Sequence, residues 1–348
     1  MPEDQNEPSA EELEELMKAL EEDADEQEQD TQPQPTEKQE DSDTHKEEPS
    51  EHDAHEHVVT SAYMEEPEMN IGTFFDSWSL FGDAALSGAL AGGLLGALGI
   101  YIILKRMVFL SAALSQSASF GIVLMFFLQM SLGLHSLHPM IGAGVMTFVA
   151  LLILSSKHIE QPGVRDSALG LVYVAGAAGT LILGTRIVQE LHDVQTILFG
   201  SAVAVVPEDF HLLVVVTLVL GAIHVVGWRG FTAIVLDAED SSVRGLPVKQ
   251  LELLLMITLA AAVALSTAIL GALPTFAFSI LPGMIALKLV ANVQRALVLA
   301  ALIGASTGFL GYVLAFIYEL PVGASQAMVG VAWVLIGLVI ALLKRRTA

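Results

Sequence analysis

The chain has 348 residues, no cysteine and a formal charge of −23; without cysteine it has neither disulfides nor thiolate metal sites. Residues 1–70 hold 26 of the 39 acidic residues and only three of the 16 basic ones, Lys18, Lys38 and Lys46. The remaining 278 residues are therefore neutral overall, and the net charge describes the tail rather than the larger part of the protein.

The tail is rich in Glu, Asp, Gln and Pro and nearly free of aromatic residues. Such a segment buries too little apolar surface to offset the entropy of ordering, so it is expected to be disordered. A short helix is expected over "SAEELEELMKALEE", capped by Ser9, with Leu13, Leu16 and Leu20 on one face. The tail has no basic start followed by an apolar core, so it does not read as a signal peptide. Near its end, "HKEEPSEHDAHEH" places His45, His52, His55 and His57 among five carboxylates. His and carboxylate together suit Zn²⁺, Mn²⁺, Ni²⁺ or Co²⁺. A cluster on a flexible segment binds weakly and exchanges quickly, which fits collecting or buffering a metal.

From Phe81 onward Ala, Leu, Gly and Val dominate. A run of roughly 20 apolar residues crosses the ~30 Å hydrocarbon core as a helix, because lipid leaves backbone groups no other partner. Nine such runs are predicted, at 84–104, 109–131, 139–156, 168–187, 209–229, 251–271, 273–290, 296–317 and 324–343. The segment 191–205 is shorter and is expected to be interfacial or re-entrant. The fold class is thus an all-α polytopic membrane protein, with a tail over 1–70 and a transmembrane domain over 71–348.

Basic residues give an orientation. With Lys344, Arg345 and Arg346 in the cytoplasm, alternate loops place 12 of the 13 basic residues outside the tail on the same side and leave only Arg186 opposite. Nine spans then put the C-terminus inside and the N-terminal tail outside. No P-loop, Ser–His–Asp set or H-E-x-x-H motif occurs, so neither nucleotide hydrolysis nor metalloprotease chemistry is expected of the chain itself. The longest polar insertion among the spans is "DAEDSSVRGLPVKQLE", residues 237–252, a charged helix-turn suited to docking on a cytoplasmic partner.

Four blocks carry a resemblance. They are "KRMVFLSAALSQSASFGI" (105–122), "DSALGLVYV" with "ILFGSAVAVVPEDF" (166–174 and 197–210), "DAEDSSVRGLPVKQLELLL" (237–255) and "ILGALPTFAFSILPGMIALKL" (269–289). In this order and spacing the sequence resembles the membrane permease subunit of zinc/manganese-type ABC importers, over essentially all of 84–343. The resemblance implies the type II importer fold, two cytoplasmic ATPase subunits, an external substrate-binding protein, and a homodimer or permease pair around a central pathway in the lipid bilayer. It implies neither a tightly bound cofactor nor a nucleic-acid partner; zinc or manganese would be cargo. It also implies a coupling segment at about 237–250, with Glu239, Asp240, Arg244 and Gly245 on the helix that enters the ATPase cleft.

The first block of the family usually carries an Asp and, four residues later, a His, so that both face the path from one side of a helix. Here those positions are Ala112 and Gln116, and two further polar positions of the family are Val174 and Ser201. Ser111, Ser115, Gln116 and Ser201 are the remaining pathway candidates. They are neutral oxygen donors and compensate poorly for a desolvated dication. The small serines serve equally for close helix packing.

His135, His138, His192 with Asp193, and His211 near Glu208 and Asp209 are expected to flank the external mouth as weak metal ligands. His224 lies within the fifth span, and ionisable groups inside membranes often mark pathways. Asp166 is expected at the start of the fourth span, where a carboxylate favours a helix N-terminus. Pro274 and Pro282 suggest a broken or kinked seventh span. The leading expectation is a metal permease that breaks no bonds itself. The alternatives are the same scaffold carrying a metal chelate, a transporter without an ATPase, and a metal sensor. The lack of acidic residues deep in any span argues against ion-coupled transport.

Overall fold

A computed structural model describes residues 70–133, 138–156, 161–187 and 205–347. The chain divides into two units, Met1–Met64 and Glu65–Ala348, and every described residue belongs to the second. The expected tail helix, His45, His52, His55, His57, His135, His192, Ser201 and all but the last residue of the 191–205 segment lie outside the described residues.

The described residues are all-helical: α1 (Ile71–Asp76), α2 (Trp78–Leu104), α3 (Phe109–Leu132), α4 (Pro139–Leu154), α5 (Pro162–Gly184), α6 (Pro207–Leu236), α7 (Ala238–Val243), α8 (Val248–Leu270), α9 (Ala272–Leu289), α10 (Val293–Ile317) and α11 (Val322–Thr347). Among them, eight are long and apolar enough to cross a membrane. The ninth expected span is α4, apolar but only 16 residues long, or about 24 Å of helix.

Local chemistry sets the ends. α4, α5 and α6 each begin with Pro in the first turn, where the missing N–H has no intrahelical partner to lose. This starts α5 at Pro162 rather than at the expected 168, so Asp166 falls in the second turn rather than at the start of the helix. Asn292 caps α10 by accepting from the backbone N–H groups of Gln294 and Arg295, at 2.9 and 3.3 Å. Of the expected break or kink at Pro274 and Pro282, a break does not occur. α9 runs continuously through Pro282, and Pro274 lies in its first turn, where N–H groups are unpaired in any helix. The chain breaks at Gly271 instead, whose φ of 98° is open to glycine and strained for other residues.

α2 is the central helix, packed against α10, α9, α6 and α8. Its register Gly88, Gly92, Gly96 faces Gly308, Gly304 and Ala300 of α10, and Gly99 meets the Ser279 carbonyl of α9. A methyl on Gly92 or Gly304 would overlap the carbonyl of the other. Lipid supplies no hydrophobic force between helices, so association rests on such close backbone contact. α3 lies between α4 and α5 and also touches α8 and α9; Gly121 and Gly142 form the same carbonyl-to-glycine contact between α3 and α4. α1 is a short entry helix. Phe74 is fully buried against Phe309, Tyr312 and Phe316, while Phe75 stacks on Trp78 at the surface.

Candidate functional site

The serine-rich start of α3 divides by role. Ser111, Ser115 and Ser117 are buried and donate to carbonyls three or four residues back, at 3.4, 3.0 and 2.9 Å, to Val108, Ala112 and Ala113. Their hydroxyls are thus satisfied within the helix, and their small size suits it to lie between α4 and α5. Ser111 is fully buried and does not border the cavity described next.

A cavity of ≈ 320 Å³ opens between α3, α5 and α9. Its wall includes Ala112, Ser115 and Gln116 of α3, Tyr173 and Ala177 of α5, and Phe276 of α9. Ala112 and Gln116 therefore share one face, one turn apart, on that wall. The Gln116 Oε1 has no hydrogen-bond partner, while the Ser115 hydroxyl is occupied by its own helix. Two glycines bring α5 against α3 here: a methyl at Gly176 would lie 2.8 Å from the Gln116 carbonyl, and one at Gly179 would lie 2.6 Å from the Phe120 ring. No charged residue is among the described lining, and the aromatic faces of Phe109, Tyr173 and Phe276 make it mainly apolar. Val174, in contrast, points away, with 60 % of its surface exposed.

The segment after α6 is a capped helical turn. The Asp237 carboxylate accepts from the Asp240 N–H at 2.9 Å, and Glu239 and Asp240 occupy the first turn of α7, where negative charge suits the helix dipole. Arg244 pairs with Asp240 at 2.7 Å. Gly245, at φ 79°, closes α7: its N–H donates to Ser242 and the next N–H, of Leu246, donates to Ser241. Pro247 then caps α8. Val243 stands out from this turn with 87 % of its surface exposed.

Each of the described histidines, His138, His211 and His224, engages a local partner. His138 caps α4, accepting from Met140 N–H at 3.4 Å, and interacts electrostatically with Asp209. The His211 ring turns back to the Pro207 carbonyl of its own helix. No group of three or more His, Asp or Glu able to hold a metal occurs among the described residues. His224 is part of the packing. It stacks on Phe231 at 4.8 Å, its Nδ1 lies 2.9 Å from the Leu220 carbonyl, and its Nε2 lies 3.4 Å from the Thr258 hydroxyl.

The sequence reading missed the aromatic wall, the glycine contacts and a long-range ion pair between Lys105 and Glu252. The glycine spacing in "SGALAGGLLGALG" is a legible signal of close helix contact. The pairing of residues 147 apart has no local signal.

Among curated proteins, the chain is 28 % identical over 263 residues to the manganese transport system membrane protein MntC of Halalkalibacterium halodurans, covering 75 % of this chain and 88 % of that one. It is 26 % identical over 242 residues to a probable metal transport system membrane protein of Chlamydia trachomatis, covering 69 % and 80 %. Among solved structures, the fold matches PsaBC from Streptococcus pneumoniae in complex with Fab, with a TM-score of 0.67 at 24 % identity over 77 % of this chain and 95 % of that one. It also matches an inward-facing putative metal-chelate type ABC transporter, with a TM-score of 0.64 at 18 % identity over 76 % and 88 %. Residues 77–341 match the model of the ABC 3 transport family, and the chain belongs to that family.

Proposed function

We propose that this chain is the membrane permease subunit of an importer that moves a divalent transition metal, manganese or zinc, across the cytoplasmic membrane. A separate ATPase drives it and an external binding protein delivers the cargo. The observation that carries the reading is the family match over residues 77–341 together with curated relatives named for manganese and metal transport. The chain breaks no bonds. Two copies, or this chain and a related permease, enclose the pathway, and the cavity bordered by Ser115 and Gln116 is one wall of it. Ser201 belongs to the same path. Glu239, Asp240, Arg244 and Gly245 form the turn that seats in the ATPase. The C-terminus is cytoplasmic and the acidic tail is external. His52, His55 and His57 collect metal, and His135, His138, His192 and His211 are weak ligands at the mouth.

The neutral, aromatic lining favours a second cargo, a metal held by its own chelator. A bare dication leaving water needs anionic or imidazole donors to offset its lost hydration, and the described lining offers an amide and hydroxyls. Uptake of radiolabelled manganese and zinc into proteoliposomes holding the chain, its ATPase and its binding protein separates the two. ATP-dependent accumulation of either free ion establishes the metal reading. An assembly that hydrolyses ATP in response to the binding protein yet accumulates no free divalent ion carries something else.

A further inference from the structure

α2 ends in a motif with an unusual occupant. Lys105 caps it, Arg106 takes a left-handed φ of 57°, and the Met107 N–H returns to the Ile102 carbonyl at 3.0 Å. This is the closure that Gly245 makes after α7, but with a side chain where glycine is unstrained. Strain of this kind persists only where the surroundings hold it. The restraint lies next door: the Lys105 ammonium donates to Glu252 of α8.

The position of the pair matters more than its strength. Glu252 lies in the second turn of α8, just past the α7 turn and Pro247. Lys105 lies four residues before α3, whose next turns carry Ala112, Ser115 and Gln116. Lys105 keeps 15 % of its side chain exposed and sits among Tyr101, Met107, Leu110, Leu255 and Met256. Glu252 keeps 39 % of its side chain exposed, and a partly solvated ion pair adds little to stability, so stability alone gives little reason for one.

We propose that Lys105 and Glu252 are positioning residues that tie displacement of the α7 turn to the wall of the cavity, by fixing the base of α8 to the strained turn that leads into α3. The inference rests on the proposed function. A push on α7 moves α8 as a rigid rod, the ion pair carries the motion to Arg106, and α3 shifts against α5. Without the pair, the ATPase still docks and cycles, but the cavity wall no longer follows.

The absence of cysteine allows a readout independent of cargo. Ala112→Cys is introduced alone, and its labelling by a water-soluble maleimide is compared in the full complex with and without vanadate-trapped ATP. ATP trapping is expected to change the labelling rate about tenfold, the scale of a typical coupling free energy. In Lys105→Met with Glu252→Met, which removes the pair without stranding a charge, the change should vanish while binding-protein-stimulated ATP hydrolysis persists. The charge swap, Lys105→Glu with Glu252→Lys, should restore it to within about twofold, where each reversal alone does not. A Met pair that still switches, or a swap that fails although the complex assembles and hydrolyses ATP, overturns the proposal. A parent complex in which ATP changes nothing at Ala112→Cys counts against the proposed function itself, and this inference falls with it.

Discussion

Gly92 of α2 and Gly304 of α10 meet backbone to backbone, each within reach of the carbonyl of the other, with no room for a methyl on either. The contact repeats one turn away, between Gly88 and Gly308. The Gln326 amide of α11 closes it by donating to the Gly308 carbonyl at 3.1 Å.

Gly92→Ala and Gly304→Ala should each lower stability by about 1–3 kcal/mol, the usual cost of overpacking. Gly93→Ala is the control, since a methyl there meets its nearest neighbour at 3.4 Å, an ordinary contact. Thermal unfolding in detergent measures all three. Equal midpoints for Gly92→Ala and Gly93→Ala would refute the close-contact account.

Gly245 and Arg106, at left-handed turn positions of the same kind, should respond in opposite directions. Gly245→Ala should cost about 1 kcal/mol through backbone strain alone, because nothing lies within 4 Å of an added methyl. Arg106→Gly relieves similar strain at an exposed position, offset in part by the greater freedom of glycine in the unfolded chain. Its midpoint should therefore equal or exceed that of the parent, while Arg106→Val falls below it. Denaturation of purified variants in one detergent checks the order.

Val243→Asp should leave the unfolding midpoint unchanged, because the side chain is 87 % exposed and exposed substitutions typically fall within about 0.5 kcal/mol. Co-purification of the ATPase should be lost. Retained ATPase at an unchanged midpoint would remove Val243 from the docking surface.

Cavity occupancy is tested at Ala177, half-buried on the wall opposite Gln116. Ala177→Phe should reduce transport by about tenfold or more while binding-protein-stimulated ATP hydrolysis continues, because a blocked path affects passage and not docking. Ala178→Phe, at the exposed neighbouring position, should transport normally. Equal effects at both positions would remove the cavity from the pathway.

Much of this protein was legible in its sequence, and the physical reason differs from element to element. Spans such as α2 and α8 declare themselves because lipid demands an uninterrupted apolar helix, and the α7 turn because Asp237, Gly245 and Pro247 are local start and stop signals. Pro274 and Pro282, expected to break or kink the span, leave α9 continuous, since the first turn tolerates proline and the helix runs on through Pro282. Ser111 is buried with its hydroxyl bonded to its own helix, a placement that a polar residue in an apolar run does not announce.

The sequence by itself determined the division between acidic tail and membrane domain, the positions of the spans and the family resemblance. All of these follow from composition and short-range chemistry, where each residue acts through its neighbours along the chain. Only the tertiary structure decided that Gln116 meets Tyr173 and Phe276 around one cavity, that Gly92 faces Gly304, and that Lys105 finds Glu252. Spans that are apolar all round carry almost no periodic signal of which face meets which helix. That choice rests on how closely backbones can approach, a property of pairs of helices and not of either one alone.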